Sequence, residues 1–427
     1  MSSRQQPWRI VTAFAFLLLV ATACISGNQP LIAATPFPEP PADPTPQFSL
    51  ETRETNTPDS LTPVVAEASP AGSRGIDVEG EWIENRFPDE LQFNLDATSN
   101  DGIITRVELV FATRGSQSPT SQPIDLGDPA SSVSVSHTWR TKYLSIPPGA
   151  PVEYYWEISD NRNNHLTTER STVYFDDVRY PWQTRSSDRV SVFWFEGDDT
   201  FGERMLEIAD GALLRLSEEL AVPAPEGVRI VIYPDEQSFR SAFPRMYDWI
   251  GGRAFNAMGL TVQIIPPTLI DSGWPEAVLA HEVAHLFNHQ LLSSPMGAAP
   301  RWLDEGLAKY AEPGDHADQH ELVALAARQD ALLPLPYLTG NFGHNDETAV
   351  LAYAQSLSLV EFALSEFGPE VLRTLMSEIQ AGTTTDQAFE KAFAMDQQAY
   401  FELWKNRTIA HAKGLATPPV TTEEQSD

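Results

Sequence analysis

Among 427 residues there is a single cysteine, Cys24, so no disulfide can close within the chain. Positive charge is also scarce: Lys and Arg total 28 against 59 Asp and Glu, a formal net charge of -31. A chain of that sign is repelled by a phosphate backbone and by anionic lipid alike, which argues against nucleic acid as a partner and against membrane docking through charge. Apolar material, by contrast, is plentiful. Hydrophobic residues make up 42%, with 10 Trp and 21 Phe, enough for two or three domains with real cores and too much for a disordered chain.

Any membrane contact must then come from the start of the chain, where "MSSRQQPWR" supplies positive charge and "IVTAFAFLLLV" an apolar run of signal-peptide length, too short to span a bilayer stably. Ala21-Thr22-Ala23 fits a small-x-small cleavage site. With Cys24 directly after it, the segment resembles a bacterial lipoprotein signal, although Ala21 stands where a larger aliphatic residue is usual. The resemblance implies a lipid-bearing Cys24 and a protein anchored to the outer face of the cell membrane; the alternative is plain secretion with a free thiol. Both readings export the protein and remove residues 1–23.

Residues 24–76 are rich in Pro, Thr, Ser and Glu with little apolar periodicity, and read as an extended spacer that cannot bury enough surface to offset its ordering entropy. Over 77–178, "LQFNLDA", "ITRVELVFAT", "SSVSVSHTW", "VEYYWEIS" and "TVYF" alternate or are enriched in β-branched and aromatic residues, between turn signals such as "SNDG" and "PPG". This predicts an antiparallel β-sandwich of immunoglobulin or fibronectin-III type, with Tyr154 and Trp156 as packing residues on one strand face and no catalytic constellation. The period then changes. "VSVFWFEG", "FGERMLEIADGALLRLSEEL", "VRIVIYP" and "DEQSFRSAF" read as strand, helix, strand and capped helix, followed by a glycine-rich bend and one strand ending at Pro266-Pro267. Residues 188–410 are expected to form an α+β domain with a mainly helical C-terminal half, and 411–427 an acidic disordered tail.

"AVLAHEVAHLFNHQ", residues 277–290, contains no helix breaker, and Pro275 sits where a first helical turn could begin. On a helix His281 and His285 lie on one face one turn apart, so both imidazoles can reach one cation at about 2.0–2.1 Å. Glu282 projects about 100° round from His281, beside such a cation, where a carboxylate can take a proton from an activated water. The pattern also arises by chance, so a third ligand is needed. "PRWLDEGLAKYAE", residues 300–312, offers one: Trp302, Leu303, Leu307 and Tyr310 are spaced for the apolar face of a second helix, with Glu305 directed at the first. Gly306, which costs about 1 kcal/mol in a helix relative to Ala, suggests two helices in close approach. Two His and one Glu would leave a fourth zinc position open.

"HEVAH" followed by "WLDEGLA" resembles the gluzincin metallopeptidases, in particular the peptidase MA-like group, related more distantly to thermolysin and aminopeptidase N. The resemblance covers about 190–410. It implies Zn2+ held by His281, His285 and Glu305, Glu282 as general base and acid, and hydrolysis of peptide bonds in a peptide or protein substrate. It further implies an edge strand within "GGRAFNAMGLTVQII" that pairs with an extended peptide, expected along Gly259 to Ile265, and an oxyanion donor for which Tyr353 is the positional match, with simple packing as the alternative. Asp304 stands where relatives often carry Asn, and Lys309 where thermolysin-like enzymes place an aspartate, which puts the groups behind the ligands in doubt. His289 reads as a residue behind the site or on the surface, and His316, His320 and His344 as loop residues. The rival function is a catalytically silent, surface-anchored binding lipoprotein that uses the sandwich to recognise a partner.

Overall fold

The structure, a computed structural model, describes residues 64–65, 75–144, 146–243, 252–294, 299–340, 342 and 346–415. The export signal with Cys24, nearly all of the spacer, His344 and the end of the acidic tail lie outside the described residues.

The first strands are β1 (Val64–Val65), β2 (Ile76–Arg86), β3 (Glu90–Ser99), β4 (Ile104–Thr113), β5 (Thr120–Pro123), β6 (Ser132–Arg140), β7 (Ala150–Asp160), β8 (His165–Thr167) and β9 (Ser171–Phe175). They form two antiparallel sheets, β1-β2-β3-β6 and β5-β4-β7-β8, with β9 also paired to β7. Alternation along β7 sends Tyr154 and Trp156 into the core, where the Tyr154 ring lies 5.2 Å from Phe93 of the facing sheet. β2 is a long strand that the sequence reading leaves unnamed, because "IDVEGEWIENR" carries charges where a half-buried strand would alternate cleanly.

Next come β10 (Gln183–Ser186), β11 (Val190–Trp194), helix α1 (Asp199–Leu220), β12 (Val228–Tyr233), α2 (Glu236–Ala242), β13 (Gly252–Phe255) and β14 (Leu260–Ile264). Asp198 and Asp235 cap the two helices through their carboxylates, as expected of Asp ahead of an apolar-periodic run. The sheet order is β10-β11-β12-β14-β13, with β11, β12 and β14 parallel and β13 antiparallel at the edge. The strand-helix-strand-helix reading thus holds, with one correction. The glycine-rich stretch forms a hairpin rather than one strand: a 3-10 turn at Asn256–Met258 and Gly259 at φ 65° send the chain back on itself. Gly259 to Ile265 is therefore not an edge, since Leu260–Ile264 is bonded to β12 on one side and β13 on the other, and the edge is Gly252–Phe255.

Both faces of this sheet are covered. Val190, Val192, Trp194, Ile230 and Ile232 pack on the helices, whereas Val231, Tyr233, Leu260 and Val262 continue the core of the N-terminal sheets. The Tyr233 hydroxyl bonds buried Asp177 at 2.9 Å, and Arg229 lies over the Tyr174 ring while pairing with Asp176 at 2.9 Å.

The remainder is helical: α3 (Trp274–Leu292), α4 (Arg301–Ala311), α5 (Ala317–Arg328), α6 (Leu335–Thr339), α7 (Asp346–Phe367), α8 (Pro369–Gln380), α9 (Thr385–Phe393) and α10 (Gln397–Ala412). Thr348–Phe367 is long and apolar enough to cross a membrane, but 61% of that window is buried, as in a core helix. One histidine expected in a loop is not there: His320 lies in the first turn of α5, bonded to Glu361 at 2.8 Å, whereas His316 is in the loop that leads into the helix, as its N-cap at φ 51°.

Candidate active site

Helix α3 is buried without interruption from Val278 to Asn288. In such a helix an amphipathic stripe has no meaning, and each polar side chain must find a partner or serve a purpose. His281, Glu282 and His285 are the ones at issue; each is at most 4% exposed. Helix α4 crosses beside α3 and buries Trp302, Leu303 and Leu307 as the spacing predicts, which fixes the direction of Glu305 between them. The close approach at Gly306 is to α7 rather than to α3. A Cβ there would lie 2.3 Å from the Ser356 carbonyl oxygen and 2.7 Å from Val360.

The structure brings His281, His285 and Glu305 together. The two Nε2 atoms are 3.3 Å apart, and Oε2 of Glu305 is 3.4 Å from that of His281 and 3.5 Å from that of His285. Three vertices of a tetrahedron around an ion bound at about 2.0–2.1 Å are separated by about 3.3–3.4 Å, so this triangle has the size that a zinc ion requires. Oε2 of Glu305 is buried and accepts no hydrogen bond, an arrangement that disfavours a carboxylate unless a cation completes it. His, His and carboxylate are also the donor set that zinc takes in sites with one open position. The residues fit the ion.

Each ligand atom is held from behind. Nδ1 of His281 bonds Oε1 of Glu312 at 2.9 Å, Nδ1 of His285 bonds Asp304 at 3.0 Å, and the second oxygen of Glu305 pairs with Arg301 at 2.7 Å. Bonding at Nδ1 leaves both Nε2 atoms directed into the triangle, the tautomer a metal ligand needs. Asn288 donates to Asp304 at 2.9 Å, and Lys309 donates to the other oxygen of Glu312 at 2.6 Å. Burial works against ionisation of Asp304, Glu305 and Glu312, but neighbouring cationic groups and hydrogen bonds outweigh it and hold all three below the ordinary carboxylate range.

These contacts resolve the two departures in the sequence. Asp304 orients His285, and Lys309 serves not in place of an aspartate but as the partner of Glu312. Sequence reasoning missed Glu312 and Arg301. Glu312 stands at the C-cap of α4, seven residues after Glu305 and so on the same helical face, and Arg301 is four residues before it. Those spacings are the signals that could have found them.

Glu282 differs from the other carboxylates. Desolvation pushes its pKa up, and the two imidazoles offset this only in part. Neither oxygen makes a hydrogen bond of normal geometry, although the Ala254 backbone amide on the edge strand is close enough to favour the charged form. Tyr353, from α7, is buried with its ring 6.2 Å from that of His281 and edge-on to Phe342 at 5.2 Å. His289 is half-buried in the last turn of α3, with its pKa lowered by desolvation and partly restored by Asp304; it stands apart from the triangle.

Residues 208–410 match a family model described as Peptidase_MA_2, of the Peptidase MA superfamily. No curated protein matches. Similar solved structures include an M1 zinc metallopeptidase from Deinococcus radiodurans, 14% identical, covering 82% of this chain and 96% of that one at a TM-score of 0.32. A mutant of the Deinococcus enzyme bound to a Tyr-Ser-Ala substrate is 15% identical, with the same coverage and TM-score. By its family match, the region from 208 to 410, which contains the whole His-His-Glu cluster, is similar to the Peptidase MA superfamily.

Proposed function

We propose that this chain is a zinc-dependent peptidase that hydrolyses peptide bonds outside the cytoplasmic membrane. The observation that carries the reading is the buried triangle of His281, His285 and Glu305 with Glu282 beside it, its carboxylate outside the network of hydrogen bonds that holds the other acids. When bound by these three residues, zinc supplies Lewis acidity, making water a nucleophile near neutral pH and polarising the scissile carbonyl.

The chain's own groups do the rest. Glu282 accepts a proton as the water oxygen attacks the carbonyl carbon, and returns it to the amide nitrogen as the carbon–nitrogen bond breaks. Its raised pKa suits both halves of that task. Tyr353 donates its hydroxyl hydrogen to the carbonyl oxygen as that atom gains charge, the role in which such donors typically contribute a few kcal/mol. Arg301, Asp304 and Glu312 fix the ligand atoms so that little reorganisation is needed. An extended peptide aligned along the outer edge of Gly252–Phe255 would add a strand to the sheet and place its backbone beside Glu282, which supports an endopeptidase-like mode of binding.

Export, a lipid anchor at Cys24, and a sandwich of immunoglobulin or fibronectin-III type that serves attachment complete the reading. The test is a mixed peptide library with the zinc-loaded wild type and Glu282→Gln. Both retain one zinc per chain and only the wild type cleaves; equal cleavage by the two removes Glu282 from the mechanism. Zinc without cleavage by either favours the silent binding lipoprotein.

A further inference from the structure

The edge strand β13 also carries a cation. Arg253 follows Gly252, and strand alternation puts its side chain with Phe255 on one face, opposite Ala254. Ala254 packs with the helical core, and Phe255 with the core of the N-terminal sheets, so the two faces of β13 are distinguished by what covers them. The Arg253 guanidinium lies 5.1 Å from the centre of the Phe255 ring. It is partly buried, and no carboxylate among the described residues lies within ion-pair distance of it.

Arg229, whose charge burial disfavours in the same way, pairs with Asp176 at 2.9 Å. A guanidinium withdrawn from water without an anion is poorly compensated by a ring face alone. A peptide paired along β13 sends alternate side chains to the two faces of the sheet. Those on the Arg253 face run about 4.5–5.5 Å (Cβ to Cβ) from it, which is bidentate range for a carboxylate at the end of a short side chain.

We propose that Arg253 is a specificity-determining residue that binds a carboxylate of the peptide substrate. The carboxylate is either the C-terminal one or that of an Asp or Glu close to the scissile bond; both offer the same planar anion to the fork of the guanidinium. Arg253 directly precedes Ala254, whose backbone amide lies beside Glu282, so the bound anion would sit one residue along the strand from the reacting groups. The inference rests on the peptidase reading for its substrate, and names a chemistry which the chain's overall acidity does not suggest.

The test uses the full, zinc-loaded chain and one peptide library prepared four ways: as C-terminal acids, as C-terminal amides, and with interior Glu or Gln. For wild type, kcat/KM for the carboxylate-bearing member of the favoured pair should exceed that of its neutral twin by tenfold or more. In Arg253→Met the ratio falls to near one, and in Arg253→Lys it is partly restored. The acid and amide arm separates a C-terminal receptor from the Glu and Gln arm, which reports a side-chain receptor. The same four libraries are titrated against Glu282→Gln, with and without Arg253→Met, by calorimetry. If no library is cleaved but the carboxylate preference in binding persists and needs Arg253, the peptidase reading fails and the receptor stands. If cleavage occurs with ratios near one in wild type, or if Arg253→Met keeps the preference, the receptor is refuted and the peptidase reading stands.

Discussion

Replacing Gly306 by alanine sets helix propensity against packing. In an exposed helix the change would stabilise by about 1 kcal/mol. Here the new methyl carbon would meet the Ser356 carbonyl oxygen at 2.3 Å, about 0.7 Å inside the nearest approach that real Cβ atoms make, and Val360 at 2.7 Å. The obstructing atom is helical backbone in α7, which cannot rotate away, so α4 must shift as a body. Overpacking of this kind costs roughly 1–3 kcal/mol, which outweighs the propensity gain. The shift also carries Glu305, whose Oε2 now lies 3.4–3.5 Å from the two Nε2 atoms. Metal sites tolerate only about 0.2 Å of error in ligand distance, so zinc affinity should fall by about tenfold or more. Thermal unfolding of the metal-free protein and competition titration of zinc with a chelator measure the two effects separately. A Gly306→Ala protein that melts higher and binds zinc as tightly as wild type would refute the reasoning.

Other perturbations probe the groups around the site and the N-terminal sheets. Glu312→Gln removes the anion behind His281 and strands Lys309, so zinc affinity should drop roughly 10–100-fold. Adding Lys309→Met should recover part of the stability lost in Glu312→Gln, because the unpaired buried charge is removed; differential scanning calorimetry of the single and double variants checks the sign. Chelation of zinc should lower the unfolding temperature of wild type and leave that of His281→Ala unchanged, since only an ion bound to the folded state stabilises it. Asp160 works against desolvation, but bonds from Asn164, Ser99 and the backbone amides of Asn164 and Arg162 hold its pKa well below the ordinary value. A depressed folded pKa means that its contribution is full above the unfolded value of about 3.9 and is lost as pH falls through the folded one. The stability gap between wild type and Asp160→Asn should therefore be widest near neutrality and shrink below about pH 4, as measured by urea unfolding across that range.

How much of this was legible in the residues depends on the distance over which each feature is encoded. The α3 motif and the apolar face of α4 are local patterns, and His281, Glu282, His285 and Glu305 arrive where one-turn spacing puts them. The strands around Tyr154 and Trp156 were equally plain from alternation. The hairpin was not, because its reversal depends on Gly259 adopting a left-handed conformation, and a glycine inside a β-rich stretch does not announce which it will do. Consequently a reading from residues alone puts the sheet edge at Gly259 to Ile265, one strand too far along. The partners of the ligands were hidden for another reason: Glu312 reaches His281 across two helices, and nothing at position 312 fixes its direction until α4 is packed. The shared core between the N-terminal sheets and β12 is likewise a matter of which face Val231 and Tyr233 cover, in a strand apolar on both sides.

The central claim is that His281, His285 and Glu305 converge on one divalent ion and leave a coordination position open. Anomalous diffraction from zinc-loaded crystals, collected on both sides of the zinc absorption edge, tests it most directly. The account predicts a single strong peak at about 2.0–2.2 Å from both Nε2 atoms and from a Glu305 oxygen, with Glu282 outside the coordination sphere. A peak elsewhere, or Glu305 turned away from the imidazoles while the ion remains, would contradict it.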